Sequence, residues 1–477
     1  MKKGIAVLRI ICLTAIFSLS IFGIGCKGVK PQPSGGAPVD TSQFQQADEF
    51  LYLVDFNKAA DHLAARLEKF VPEKEKGKTD VRAEIQSTME EMGLSTVKAE
   101  ELKAEANNTT IRAYGKYQLP VKEYPDLSYF TDIGTANVAL PSHFSTDRYL
   151  GHFFIANPDK IVLSMLKAAD KELGTPTPGS PMVFSVDQFF KMMGFESYQD
   201  AFKWMGSEFV AFHLANPDFD PNKTYKEGET PVPPIFSLIA LATNDERKAL
   251  DTLETFAQFM QSMGIAGEGE KLYERKDLGG HDSIVFNVPK ELLESMVPES
   301  EKDKIGEIPP PVISTVPGYI LFSDKDSVEA AIKAFGKPSE GTPRTATIET
   351  EMNFDNALYH FVPTNPGTWF SIIEKSSPEV QDLFKKIYDQ TRDIGPLGIS
   401  RMSIKIEDSE HAALEIETSR ESLKLFDILW KIAEETKPEV WEELGKQFGQ
   451  SFNPGSMGAS PGMPVSPMPP GMGGSGD

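Results

Sequence analysis

At 477 residues the chain exceeds what one hydrophobic core usually supports, and its 40% hydrophobic, 25% charged composition excludes wholesale disorder. Its 48 basic and 70 acidic residues give a formal net charge of −22. With no local Lys/Arg cluster to compensate, nucleic acid is not an expected partner, and the charge reads first as solubility.

The N-terminus has the three parts of an export signal: Lys2 and Lys3, an apolar run from Ile10 to Ile24, then Gly23-Ile24-Gly25-Cys26. The expectation is a cleaved leader over 1–25 and a lipid on the Cys26 thiol, which makes the membrane a partner through that lipid. Gly23 stands where such signals usually carry leucine, so ordinary secretion or an uncleaved anchor are the alternatives. Cys12 lies inside the leader, so a mature chain beginning at Cys26 has no intrachain disulfide. Residues 26–46, with Pro31, Pro33, Gly35, Gly36 and Pro38, read as a flexible tether. The expected location is exported, on the periplasmic or cell-surface side of a bacterial membrane.

From Phe50 to about Thr436 one local pattern repeats: an apolar strand, a polar cap, an amphipathic helix. Leu51–Val54 reads as a strand leading through Asp55 into a helix with Ala59, Leu63, Leu67 and Phe70 on one face. Phe153–Ile155 leads to Asn157-Pro158, and Ile235–Ala242 to Thr243-Asn244-Asp245-Glu246. Tyr319–Phe322 leads to Ser323, Leu358–Val362 to Asn365-Pro366, and Leu414–Glu417 to Thr418 and Glu421. Each junction supplies an oxygen for the unpartnered amides of a helix start, and Glu246 and Glu421 stand where they would complete capping boxes. Gly279-Gly280 and Asp408-Ser409-Glu410 read as hairpin turns. The fold class this implies is α+β, with largely antiparallel mixed sheets backed by amphipathic helices. The expected organisation is an N-terminal lobe over 47–217, an acidic Pro/Gly loop over 218–234, a C-terminal lobe over 235–446, and a disordered Gly/Pro/Met tail over 447–477.

A short helix, Tyr198–Met205, precedes Gly206-Ser207-Glu208 and the strand Phe209–Leu214, giving Trp204-x-Gly206-x-Glu208. With the elements that follow, including Pro317-Gly318-Tyr319, the order resembles the exported bacterial family called domain of unknown function thirty-three fifty-two, over roughly residues 47–430. The resemblance implies an envelope protein with a large α+β ectodomain, and it carries no site residues. Gly206 is expected to end the helix in a left-handed conformation, and Trp204 to pack beneath the sheet.

Candidate chemistry is sparse. Asp218, Asp220, Asn222 and Thr224 alternate, and Glu229 falls at the twelfth position, an arrangement of oxygens suited to Ca²⁺. Lys223 occupies the place where that loop needs glycine, so a solvated acidic loop is the plainer reading. No pair among His62, His143, His152, His213, His281, His360 and His411 has metal-ligand spacing on one helix. His143 with Asp147 is the most site-like pair, whereas His152, His213 and His360 read as structural. Ser164-x-x-Lys167 lacks its companion motifs, and Gly264-x-x-Gly267-x-Gly269 follows a helix where a dinucleotide loop follows a strand. Met457, Met463, Met468 and Met472 could ligate Cu(I), but read as low complexity. No cofactor is called for. The expectation is a non-enzymatic exported lipoprotein that binds or scaffolds a protein or small ligand of unknown identity. The alternatives are an envelope hydrolase without a linear motif and a carrier of an apolar ligand.

Overall fold

The structure, a computed structural model, describes residues 45–68, 80–91, 94–121, 131–173, 185–220, 232, 235–263, 271–287, 309–339, 344–356, 377–391, 394–437 and 440. Leu358–Val362, Asn365-Pro366, His360, the leader, the tether before residue 45 and the C-terminal tail, all read from the sequence above, fall outside them.

In chain order, β1 (Gln45–Gln46) leads into a 3₁₀ helix (Asp48–Leu53), α1 (Phe56–Leu67) and α2 (Val81–Glu91). Then come β2 (Lys98–Ala106), β3 (Thr110–Gln118), β4 (Ala136–Val138), a 3₁₀ turn (Leu140–His143), β5 (Tyr149–Ala156) and α3 (Pro158–Leu173). They are followed by α4 (Val186–Met192), α5 (Tyr198–Ala201), β6 (Met205–Ala215), β7 (Ile235–Thr243) and α6 (Glu246–Ser262). Next are β8 (Tyr273–Leu278), β9 (His281–Phe286), β10 (Pro311–Val316), β11 (Tyr319–Asp324) and α7 (Lys325–Ala334). Last are β12 (Arg344–Ala346), β13 (Ile348–Asn353), α8 (Pro378–Thr391), β14 (Ile399–Ile406), β15 (His411–Ser419) and α9 (Arg420–Glu435). The fold is α+β.

Thirteen strands form one sheet in the order β1-β2-β3-β15-β14-β13-β5-β6-β7-β11-β10-β9-β8, with β4 and β12 as a separate pair. Every neighbouring pair is antiparallel. The strands do not sort by the two expected lobes. β3 pairs with β15 and β5 with β13, while β6 and β7, on either side of 218–234, pair directly over Phe209–Ala215. The sheet is sewn together from both ends of the chain.

Alternation of side chains divides the apolar residues between the two faces. On one face of β6, β7 and β9–β11, Trp204, Ile284, Ile313 and Ile320 pack with Ala249 and Leu250 of α6. On the other, Phe154, Val210, Phe212, Leu238 and Leu321 meet Leu140, Phe144, and Val328 and Ala331 of α7. At the β1 end, Ile111, Ala113, Tyr117 and Leu414 pack against the 3₁₀ helix before α1. Among the described residues no helix is long and apolar enough to cross a membrane.

Several junctions differ from the sequence reading. Leu51–Val54 belongs largely to the 3₁₀ helix, not a strand. Phe50, Leu51, Tyr52, Leu53 and Val54 all pack into one cluster, which a strand could not achieve because it sends alternate residues to opposite faces. Asp55 caps α1 as expected, accepting from the amides of Asn57 and Lys58. The other caps shift because the strands run further than expected. Asp245, Asp324 and Ser419 cap α6, α7 and α9 in place of Thr243, Ser323 and Thr418. Thr418 is buried within β15 and bonds Ser400, and the Thr243 hydroxyl donates to the Trp204 carbonyl. Glu246 accepts from the Gly318 amide, so that capping box does not form. Asn157, at φ 46°, does not cap α3 with its oxygen; its amide donates to the Ile133 carbonyl. Both hairpin turns lie where expected, with Gly279 and Gly280 at φ 64° and 87°, the pair of positive values a tight hairpin turn needs.

Candidate functional site

A charged ladder crosses the sheet. In the register, Arg112 of β3 faces Glu417 of β15, Glu417 faces Arg401 of β14, Arg401 faces Glu351 of β13, and Glu351 faces His152 of β5. Directly paired residues project to the same side, so alternating charges meet in a row. Arg112 Nη2 lies 3.3 Å from Glu417 Oε1, and Arg401 Nη1 lies 3.6 Å from Glu417 Oε2. Arg401 Nε donates to Glu351 Oε2 at 2.8 Å, and Arg344 of β12 reaches the same oxygen at 2.9 Å. Arg344 Nη2 also donates to Glu349 Oε1 at 2.9 Å, and His152 Nε2 donates to that oxygen at 3.2 Å.

Burial deepens along the row, from side chains about a third exposed at Arg112 and Glu417 to 2% at Glu349 and 0% at His152. Burial pushes the Glu349 carboxyl up, but the His152 hydrogen bond and the Arg344 charge more than offset it, leaving the group at about 2. The Tyr149 ring centroid lies 5.8 Å from that of His152, and among the described residues neither its buried hydroxyl nor His152 Nδ1 has a hydrogen-bond partner. Burial, reinforced by Glu351, holds the Tyr149 hydroxyl well above its ordinary value.

A buried histidine on a glutamate invites a catalytic reading. The register argues otherwise: Ser403, itself buried, faces Glu349, which places the carboxylate between serine and imidazole. A serine hydrolase needs the imidazole in the middle. As arranged, the ladder ties β5 to β13, which come from opposite halves of the chain, through carboxylates engaged by Arg344, Arg401 and His152.

The Trp204-x-Gly206-x-Glu208 motif forms a second cluster. Trp204 is buried against α6, the core role expected for it. Gly206 does not end a helix: α5 stops at Ala201, and Gly206 lies in β6, where the register shifts against β7. A Cβ there would come within 2.9 Å of the Ala242 carbonyl carbon and Cβ, so the close approach of β7 demands glycine. Glu208 then turns its buried carboxylate over the core, accepting from the amides of Ala139 (3.1 Å) and Leu140 (3.2 Å) and from the Tyr319 hydroxyl (3.0 Å).

Burial raises the Glu208 carboxyl above its ordinary value despite those three donors. A raised carboxyl contributes stability that is complete below about 4.5 and is lost as pH rises through the folded value. Glu208→Gln removes that titration. The stability of the unsubstituted chain relative to Glu208→Gln, measured by urea unfolding, is therefore expected to be greater at pH 4 than at pH 8; a flat difference would contradict the burial argument.

The other sequence candidates scatter. His143 does not engage Asp147: its Nδ1 bonds the Gly336 carbonyl at 2.9 Å, and its ring stacks on Phe335 at 4.4 Å. His213 bonds the Ser237 hydroxyl at 2.9 Å, His411 bonds Asp408 at 2.8 Å, and His62 stacks on Tyr52 at 4.4 Å. Asp218 and Asp220 follow β6, whereas Asn222, Thr224 and Glu229 fall outside the described residues. Among the described residues no group of three or more His, Cys, Asp or Glu is placed to hold a metal ion. The glycines at 264, 267 and 269 and the tail methionines also fall outside. The ladder itself was missed. Its only trace in the sequence is the alternation of Glu349 and Glu351 in a short strand, and partners such as Arg112 and His152 lie too far away in the chain to signal it.

No protein family, curated protein or solved structure matches the chain.

Proposed function

We propose that the protein is a lipid-anchored, non-enzymatic component of a bacterial envelope, whose α+β body binds or scaffolds a partner outside the cytoplasm. The observation that carries this reading is the leader ending at Cys26, followed by a Pro/Gly-rich segment that reaches the body at Gln45, on the outermost strand of the sheet. Attachment at the sheet's edge leaves both faces available while a lipid holds the chain at the bilayer. The two buried polar clusters support a binding or structural role over catalysis, because Glu349 and Glu351 are engaged in joining strands and Glu208 in tying β6 to β11 and the 139–140 segment.

Cys26→Ser tests it. The unsubstituted chain is expected in the membrane fraction, resistant to high-salt washing, and the variant is expected to lose that resistance. Equal distribution of both forms would sink the proposal.

A further inference from the structure

Five large hydrophobic side chains are exposed among the described residues, and four of them are methionines on helices that pack together. Met165 on α3 is 62% exposed, Met192 on α4 60%, and Met260 and Met263 at the end of α6 37% and 56%. Beneath them, Leu163 and Leu166 of α3, Phe189 of α4 and Phe259 of α6 are partly buried around Phe190 and Tyr198. The rings of Phe189 and Phe259 meet edge to face at 5.4 Å. Met192 lies three residues beyond Phe189 and Met263 four beyond Phe259, so each sits one turn from that contact. Unbranched, polarizable methionine adapts to irregular apolar partners, and a cluster of it at a surface marks a contact site.

On two of these helices, α3 and α4, the exposed charges described are of one sign. In a chain with 70 acidic residues, the exposed charged side chains described on α3 and α4 are Lys160, Lys167, Lys171 and Lys191. Asp170 and Asp187 are turned inward, accepting from the Val186 and Tyr198 amides, and Asp159 is half-buried in the first turn of α3. The exposed acids of α6, Glu246 and Asp251, lie in its first two turns, at the end away from Met260 and Met263. Methionines flanked by lysines suit an apolar layer bearing an anionic surface, which is the chemistry of a phospholipid headgroup region.

The attachment also permits it. α3 packs on β6, seven strands from β1, or about 34 Å at the usual strand spacing. A chain of the length of 27–44 can bridge at most about 60 Å. We propose that the α3–α4–α6 methionine face lies on the bilayer that holds the lipid of Cys26, fixing the orientation of the sheet above the membrane. This rests on the anchored reading, and orientation, not affinity, is what it adds.

The test uses the full lipid-bearing chain in phosphatidylethanolamine/phosphatidylglycerol vesicles containing nitroxide-labelled lipid. Cys12 leaves with the leader and Cys26 is acylated, so Met192→Cys, Met263→Cys or Ser409→Cys gives a single thiol for an environment-sensitive dye; Ser409 lies in the β14–β15 turn. Flotation reports the anchor, and quenching reports the face. The dye at 192 and 263 is expected to be quenched about twofold more than at 409, as for groups sunk about 5–10 Å into the interface. Flotation with equal quenching at all three sites overturns the proposal and leaves the anchor standing. If the chain does not float, the anchored reading falls. A chain with residues 1–26 replaced by a histidine tag, held on nickel-chelating lipid in the same vesicles, then reads the face alone, and equal quenching again overturns it.

Discussion

Glu349→Ala is expected to destabilise the protein by about 3–5 kcal/mol, the usual cost of removing one partner from a buried ionic cluster. The substitution strips His152 of its Nε2 acceptor and deprives Arg344 of one of its two carboxylates, at the seam between β5 and β13. Filling the space with a similar-sized leucine would not repair it, because the imidazole would remain buried with both nitrogens unpartnered. The same residue sets an acid limit. Its folded value of about 2 lies below the ordinary carboxylate range, so its contribution is complete above about 4.5 and is lost as pH falls from there toward 2. That shift corresponds to roughly 3 kcal/mol. Urea titrations at pH 7 and pH 3 should show the gap between the unsubstituted and Glu349→Ala chains narrowing in acid. A gap independent of pH would mean that the carboxylate is not held as the ladder requires.

Phe212→Ala is expected to cost about 3–5 kcal/mol, as for large buried aromatics elsewhere. Phe212 lies in β6, fully buried, with Phe144 at 5.3 Å and Tyr149 at 6.5 Å between ring centroids. It sits at the middle of the sheet under the 140–144 segment, where the neighbouring strands leave little room to collapse into the cavity. The same substitution at half-buried Phe286, near the sheet's β8 edge, should cost clearly less. Equal losses at both positions, measured by urea unfolding, would contradict a core centred on β6.

The contrast between local and distant information explains what the sequence revealed. Strands such as Ile235–Thr243 and the Gly279-Gly280 turn were legible because alternation, periodicity and turn chemistry act within a few residues. The helix starts were legible as regions, but the capping residue was not: whether Thr418 caps α9 or stays in β15 depends on Ser400 across the sheet. Leu51–Val54 read as a strand because four apolar residues in a row look alike in either conformation, and only the cluster they join decides. The ladder depended on still longer separations. Arg112 meets Glu417 and His152 meets Glu349 through a strand order that joins both ends of the chain, and no local spacing encodes that order. In the motif at Trp204, the tryptophan's role was legible from its size. Gly206 was misread because the need for glycine comes from β7, not from its own helix.

The most direct measurement is the intact mass of the native chain recovered from cell membranes. The expected species begins at Cys26 and is heavier than the polypeptide from that residue by a diacylglyceryl group and any further acylation of its new amino terminus. A chain still carrying Met1, or one cut elsewhere with residue 26 as a free thiol, would contradict the anchored reading.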